Sequence, residues 1–137
     1  MKEYIVGFAI FLVLIFFPLQ WSINQINHYK IQTANNIVYN SAQKARTDGY
    51  FKQSNLDELR IQLATKLKVE PSKVRIEATT TPKYRLDNFD EREMIYFEVG
   101  IPIDKIIAAN IFYGISDQAN SYEYIISGEV PSELLPI

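Results

Sequence analysis

The chain has 137 residues and a formal net charge of −2, with 14 basic and 16 acidic side chains spread along its length. Because no basic block is present, sequence-specific binding of nucleic acid is not expected. The lack of cysteine excludes disulfides, thiolate metal sites and cysteine nucleophiles. A single histidine, His28, leaves little for a metal centre, and no phosphate-loop, dinucleotide, hydrolase or zinc-protease motif occurs. We therefore expect no enzyme, no cofactor and no small-molecule substrate.

Residues 4–21 form an apolar run that contains no charged side chain. The run approaches the ~20 residues that a helix needs to cross a hydrocarbon layer of ~30 Å. Tyr4 and Trp21 stand at its two ends, where interfacial aromatic residues are expected. A cleaved signal peptide would need a basic flank and a small-residue cleavage site, and a buried core helix would need cover on every side. Both remain alternatives, and a membrane anchor is the favoured interpretation.

Two residues near the ends of this run bear on its geometry. Pro18 predicts a kink, because proline removes a backbone hydrogen bond and clashes with the preceding turn. Lys2 and the α-amino group favour a cytoplasmic N-terminus. The sequence thus predicts a single-pass membrane protein with an extracytoplasmic C-terminal domain.

Beyond Trp21 a narrow apolar stripe continues at helical spacing. Its members are Ile23, Ile26, Ala34, Ile37, Val38, Ser41, Ala42 and Ala45. No proline or glycine interrupts it before Gly49, which stands at a C-cap position. We expect one helix from about Tyr4 to Asp48, roughly 65 Å long at 1.5 Å per residue. Its stripe must pack on a sheet or on other copies, since helices gain most of their stability from a buried face.

A second helix is predicted from a capping-box-like start at Ser54–Asp57. Four leucines then recur on one face: Leu56, Leu59, Leu63 and Leu67. Period-two alternation predicts strands at residues 73–79 and 93–101 and a closing strand at 121–130. These elements suffice for one small antiparallel sheet.

The segment between the first two strands, residues 81–92, is charged. It contains the acidic residues Asp87, Asp90 and Glu91, and Glu93 follows directly after it. Oxygen ligands in a loop can bind calcium, but the EF-hand spacing and glycine are missing. Arg85 and Arg92 compete for the same carboxylates. A solvated loop without metal is the expected structure.

Residues 104–115 (DKIIAANIFYGI) are apolar nearly throughout and too short to cross a bilayer. The pattern predicts a short helix with Asp104 as its N-cap. Such a segment is either a covered core element or an exposed patch that marks a partner or the membrane interface. The sequence leaves both possibilities open.

The predicted fold class is α+β: a long membrane-spanning helix that continues into an amphipathic helix packed on a small antiparallel sheet. Residues 1–22 are the predicted transmembrane segment, 23–49 the amphipathic continuation, and 50–137 a small globular domain.

This layout resembles the type IV pilins and pseudopilins, and within them the TadE-like minor pilins and the pilin-like proteins of Gram-positive conjugative elements. The similarity is carried by the Gln43–Gly49 helix ending after Ile31–Asn35, by a V-x-V-type strand, and by a closing strand near Glu133. Pilins also carry a glutamate near the mature N-terminus, and the only acid near this place is Glu3.

The resemblance implies a structural subunit of a cell-surface filament or of an envelope-spanning secretion, adhesion or DNA-transfer machine. The alternative is a single-span accessory component that does not polymerise. The expected partners are the membrane and further copies or other pilin-like subunits. Assembly is expected to use the apolar helix, through Glu3, Tyr4, Ile5, Phe8, Phe11, Leu12, Ile15, Phe16, Pro18, Trp21, Ile23 and Ile26.

Overall fold

The computed structural model describes residues 1–85 and 93–137 of the chain. Two helices and three strands follow in chain order: α1 (Lys2–Asp48), α2 (Gln53–Leu67), β1 (Arg75–Ala78), β2 (Met94–Asp104) and β3 (Ser121–Pro131). The strands form one antiparallel sheet in the order β1-β2-β3. The α+β class, the long apolar N-terminal helix and the three-stranded sheet are thus confirmed.

Helix α1 is a single element of 47 residues, and Pro18 lies inside it. It begins two residues before the predicted start and ends at Asp48 as predicted. Gly49 follows with φ of +83°, in the left-handed region that glycine adopts without strain. A Cβ there would lie 2.6 Å from the carbonyl oxygen of Lys83 and 2.6 Å from the side chain of Leu134. Close approach and backbone conformation both require glycine at this end of α1.

The chain divides into two compact units. The first unit consists of residues Met1–Tyr29 and Ile103–Tyr122, and the second of Lys30–Pro102 and Glu123–Ile137. The predicted boundaries after residues 22 and 49 stay predictions.

The second unit contains an apolar core. Its buried members are Ala34, Val38, Ala42 and Ala45 of α1, Leu59, Leu63, Ala64 and Leu67 of α2, Val74, and Ile95, Phe97, Val99 and Ile101 of β2, with Phe51 between the helices. In β2 buried residues alternate with more exposed ones as far as Val99, as the sequence pattern predicts. The rings of Phe51 and Phe97 lie 6.2 Å apart. Small residues on α1 therefore leave room for large ones from α2 and the sheet.

The predicted capping box of α2 is wrong. The helix begins at Gln53, and Lys52 at its N-cap makes no side-chain capping bond. Ser54, the predicted N-cap, therefore lies inside the helix. The next side chain, Asn55, is buried and exchanges two hydrogen bonds with Ser41: the Ser41 hydroxyl donates to Oδ1 at 2.8 Å, and Nδ2 donates to the Ser41 carbonyl at 3.1 Å. Leu56, expected on the apolar face, is only half-buried.

The C-terminal segment is tied to the end of α1. Arg46 forms an ion pair of 2.6 Å with Glu133, whose backbone N–H donates to the Arg46 carbonyl at 2.9 Å. The Ser132 hydroxyl donates to the Lys83 carbonyl at 2.7 Å. These bonds hold the tail without regular secondary structure.

The helix predicted over residues 104–115 is also wrong. Strand β2 continues to Asp104, and only Asn110–Tyr113 forms a short 3-10 helix. Lys105 and Ala109 have φ of 58° and 52°, which is incompatible with a right-handed helix. We refer to residues 105–115 as the 105–115 loop.

Candidate functional site

Within the apolar run of α1, Phe16 and Gln20 are half-buried and the other side chains are exposed. No residue of its most apolar 18-residue window is buried, and the helix is long and apolar enough to cross a membrane. A surface of this size and polarity is not stable in water, because every exposed apolar side chain orders or displaces solvent at a free-energy cost. The run therefore needs lipid or protein around it.

The structure places the predicted assembly residues along this helix. Exposed members are Glu3, Tyr4, Ile5, Phe8, Phe11, Leu12, Ile15, Pro18, Trp21 and Ile26, and half-buried members are Phe16 and Ile23. They surround the helix rather than forming one face, because successive positions are rotated by about 100°. The helix offers neighbours a cylinder of apolar side chains and not a single seam.

The buried residues of the second half of α1 are Ala34, Val38, Ser41, Ala42 and Ala45, and all of them belong to the predicted stripe. Val38 is 1% exposed and Ala34 fully buried, whereas Ile26 is 53% exposed. Ile37 is only half-buried. The buried face follows the small residues and Val38, since α2 and the sheet approach α1 there. Packing of Ile26 and Ile37 on other copies stays a prediction.

Two amide side chains of α1 fix the 105–115 loop. Gln20 donates from Nε2 to the Ile106 carbonyl at 2.8 Å and accepts the backbone N–H of Ala108 at 2.8 Å. Asn27 donates to the Lys105 carbonyl at 3.1 Å. We call Gln20 and Asn27 the amide clamp. The amide clamp holds the loop against α1 and supplies hydrogen bonds to backbone N–H and C=O groups that belong to no helix or strand.

The loop also contacts the apolar run through aromatic rings. Tyr113 meets Phe16 edge to face, with ring centroids 6.0 Å apart and planes at 69°. This geometry is favourable for an aromatic pair. Ala108 is buried, whereas Ile111 and Phe112 are 79% and 93% exposed. Of the two possibilities left open, the exposed patch describes the tip of the loop and the core element describes only its base.

The outer face of the sheet carries a cluster around Arg75. Its guanidinium binds Glu77 at 2.8 Å, Glu98 at 2.7 Å and Glu123 at 3.0 Å. Glu123 reaches Arg75 across Gly100, where a Cβ would collide with its carboxylate.

Hydrogen bonding sets the charge states in this cluster. The Tyr96 hydroxyl, which donates at 2.7 Å, and then Arg75 lower the pKa of Glu98. The same hydrogen bond to Glu98 raises the pKa of Tyr96. Each group is held in its ordinary charge state, so the arrangement stabilises strand pairing and supplies no poised acid or base.

A polar groove of about 310 Å³ lies between α1 and α2. It is lined by Asn40, Ser41, Lys44, Asn55, Glu58, Leu59 and Gln62. Lys44 and Glu58 pair across it at 2.8 Å. The groove is open to solvent, and its charges are already matched, so it has no feature that points to a ligand.

Among residues 1–85 and 93–137, no group of three or more acidic or histidine side chains is arranged to hold a metal ion. Asp87, Asp90, Glu91 and Arg92 lie outside the described residues. Glu93, the last member of that acidic group, is buried.

Sequence reasoning missed the amide clamp and the contact between Phe16 and Tyr113. Gln20 carried one signal, as the single amide inside an apolar run. Asn110, Gly114 and Asn120 carried another, because these residue types favour turns and local bonds to backbone over helix.

No family model, curated protein or solved structure matches the chain.

Proposed function

We propose that the chain is a pilin-like structural subunit of a cell-surface filament or of an envelope-spanning secretion, adhesion or DNA-transfer machine. In this proposal the apolar run anchors a single-pass membrane protein with an extracytoplasmic C-terminal domain, and later packs against the same run in neighbouring subunits. The proposal includes co-assembly with other pilin-like subunits.

The observation that carries the proposal is the change of character along α1. The first half buries no residue of its apolar window, while the second half buries Ala34, Val38, Ala42 and Ala45 in a folded core. A helix of this kind supplies a cylinder of apolar side chains that continues into a folded domain. Polymerisation through such a cylinder needs no separate docking surface.

The energetics favour burial of the cylinder in any watery setting. Each square ångström of apolar surface removed from water contributes roughly 25 cal/mol. In the bilayer the lipid tails cover this surface, and in a filament only neighbouring helices can do so. Exchange between the two environments is therefore feasible without exposure to water.

A non-polymerising, single-span accessory component of a secretion or conjugation complex is the second candidate. It is favoured by the 105–115 loop, which occupies one flank of α1 from Phe16 to Asn27. That flank is not open to a neighbouring helix while the loop stays in place.

Sedimentation of sheared material separates the two candidates. A filament subunit is expected to leave cells on shearing and to sediment as long particles without detergent. An accessory component is expected to stay with the membrane fraction and to require detergent for release. Recovery only in the membrane fraction would contradict the filament.

Cross-linking tests the interface itself, because the native chain contains no cysteine. A single Phe11→Cys substitution is expected to cross-link copies within sheared particles, since Phe11 lies in the exposed apolar run. Ile61→Cys on α2, also exposed, serves as the matched control for random collision. Equal cross-linking at both positions would argue against assembly through the helix.

A further inference from the structure

The tip of the 105–115 loop exposes three consecutive apolar side chains. Ile111 is 79%, Phe112 93% and Tyr113 60% exposed. Residues 106–115 contain no charged side chain, while Asp104, Lys105 and Asp117 flank them. Contiguous exposed aromatic and aliphatic side chains bordered by charges are typical of surfaces that meet a partner or a membrane.

The position of the tip along α1 points to lipid. Tyr113 packs on Phe16, which lies five residues before Trp21, the interfacial end of the apolar run. At 1.5 Å per residue this places Phe16 about 7.5 Å deeper along the helix than Trp21. If the apolar run lies in a bilayer, the lipid around Phe16 therefore also contacts Tyr113, because the two rings are neighbours.

The backbone of the loop is prepared for a site poor in water. Asn120, only 3% exposed, accepts the N–H of Ile107 at 2.8 Å and donates to the Ile107 carbonyl at 3.0 Å. Gln20 satisfies Ile106 and Ala108, and Asn110 donates to the Ile115 carbonyl at 2.8 Å.

Three backbone bonds complete this pattern. The N–H groups of Phe112, Gly114 and Ile115 donate to carbonyls within the loop. Irregular backbone is tolerated at membrane depth only where the protein itself satisfies such groups.

We propose that the tip of the 105–115 loop inserts into the lipid leaflet at the Trp21 end of α1, as a second membrane contact beside the span. This proposal rests on the proposed function in one respect, that the apolar run lies in a bilayer. The flanking charges at Asp104, Lys105 and Asp117 would remain in the headgroup region, with Ile111 and Phe112 among acyl chains.

Tryptophan fluorescence in vesicles tests the insertion, because the chain has one tryptophan. In a Trp21→Phe background, the full-length protein with Phe112→Trp is reconstituted at low density in phosphatidylcholine vesicles. Bromine on the acyl chains quenches tryptophan in hydrocarbon, and aqueous iodide quenches tryptophan in water. Two matched variants accompany it: Phe8→Trp in the apolar run and Ile61→Trp on α2.

Phe112→Trp is expected to show a blue-shifted emission, quenching by brominated lipid comparable with that of Phe8→Trp, and little quenching by iodide. Ile61→Trp is expected to show the reverse. If Phe112→Trp behaves like Ile61→Trp while Phe8→Trp is quenched by bromine, the loop insertion is wrong and the membrane span stands.

Protection of Phe112→Trp from both quenchers would identify a second protein copy as the cover, and would also overturn insertion into lipid. Failure of bromine to quench Phe8→Trp would instead overturn the membrane span on which both proposals depend.

Discussion

The two units of the chain use apolar residues in opposite ways. In the second unit, which contains residues 30–102 and 123–137, apolar side chains of both helices and the sheet are buried together. In the first unit, apolar side chains of α1 and of the 105–115 loop point outward. One continuous helix takes part in both, so helix formation by itself does not decide which environment a residue needs.

Polar side chains that make hydrogen bonds within each unit show a second contrast. In the second unit, Ser41 and Asn55 satisfy each other between two helices. In the first, Gln20, Asn27 and Asn120 satisfy loop backbone. The amide of Asn55 in the second unit thus links two helices. The amides in the first unit bond to loop backbone groups that no helix or strand satisfies. The difference predicts where substitutions destabilise the fold and where they leave it intact.

The largest effect is expected from Val38→Asp. Val38 is buried in the second unit, and an unpaired charge there costs several kcal/mol in the free energy of unfolding. Asn36→Asp, two positions away and exposed, is the control and should cost less than about 0.5 kcal/mol. Thermal unfolding of the full-length chain in detergent measures both, with half-buried Ile37→Asp falling between them. Equal tolerance of all three would show that this part of α1 is a tether and not a core helix.

Asn55→Ala should cost about 1–3 kcal/mol, because it leaves the buried Ser41 hydroxyl without the acceptor that it uses. The control is Asn40→Ala at an exposed position of α1, for which little change is expected. Denaturant unfolding compares the two. A neutral Asn55→Ala would indicate that water readily replaces the amide.

Gly49→Ala should destabilise the second unit by about 1 kcal/mol or more, since the φ of +83° disfavours a side chain and the carbonyl of Lys83 lies in the way. Gly114→Ala is the control with a similar φ of 69° but open space around it. The Gly49 variant should lose more stability. An equal loss at the two glycines would show that backbone strain alone, and not close approach, dominates.

Acidic pH should lower the stability of the second unit, because protonation of Glu98 weakens its bonds to Tyr96 and Arg75. Its folded pKa is lowered from an ordinary value of 4.5. The stability that it contributes is therefore fully present above that value and is lost as the pH falls through the lowered folded pKa. Glu98→Gln should flatten this part of the pH profile of the melting temperature. An unchanged profile would mean that other carboxylates account for the acid sensitivity.

The smallest effect on the second unit is expected from removing residues 1–22. All of its buried α1 residues lie at Ala34 or beyond, so its melting temperature should change little. Circular dichroism should show a folded, soluble domain. Removal of residues 1–38 is the control and should unfold it, because Ala34 and Val38 are then missing. An unfolded product from the shorter deletion would show that the two units fold as one.

Local sequence patterns determined α1 from start to C-cap, the alternating core face of β2 and the closing strand. In each of these the periodicity of apolar residues and a single glycine at the helix end are strong, short-range signals. The apolar run was also predictable from the sequence, because the length of a segment without charged residues can be read directly from the order of residue types.

The tertiary structure alone decided how α2 begins and what becomes of residues 104–115. Ser54 was the predicted cap, but α2 begins one residue earlier, and the neighbouring Asn55 bonds to Ser41 of α1. The apolar character of residues 106–115 is compatible with a helix, yet Gln20 and Asn120 stabilise irregular backbone there. Gln20 is 88 residues from Ala108 along the chain, and Asn120 is 13 residues from Ile107. No local sequence pattern could therefore reveal that side chains satisfy the backbone of the loop and that its apolar residues are left exposed.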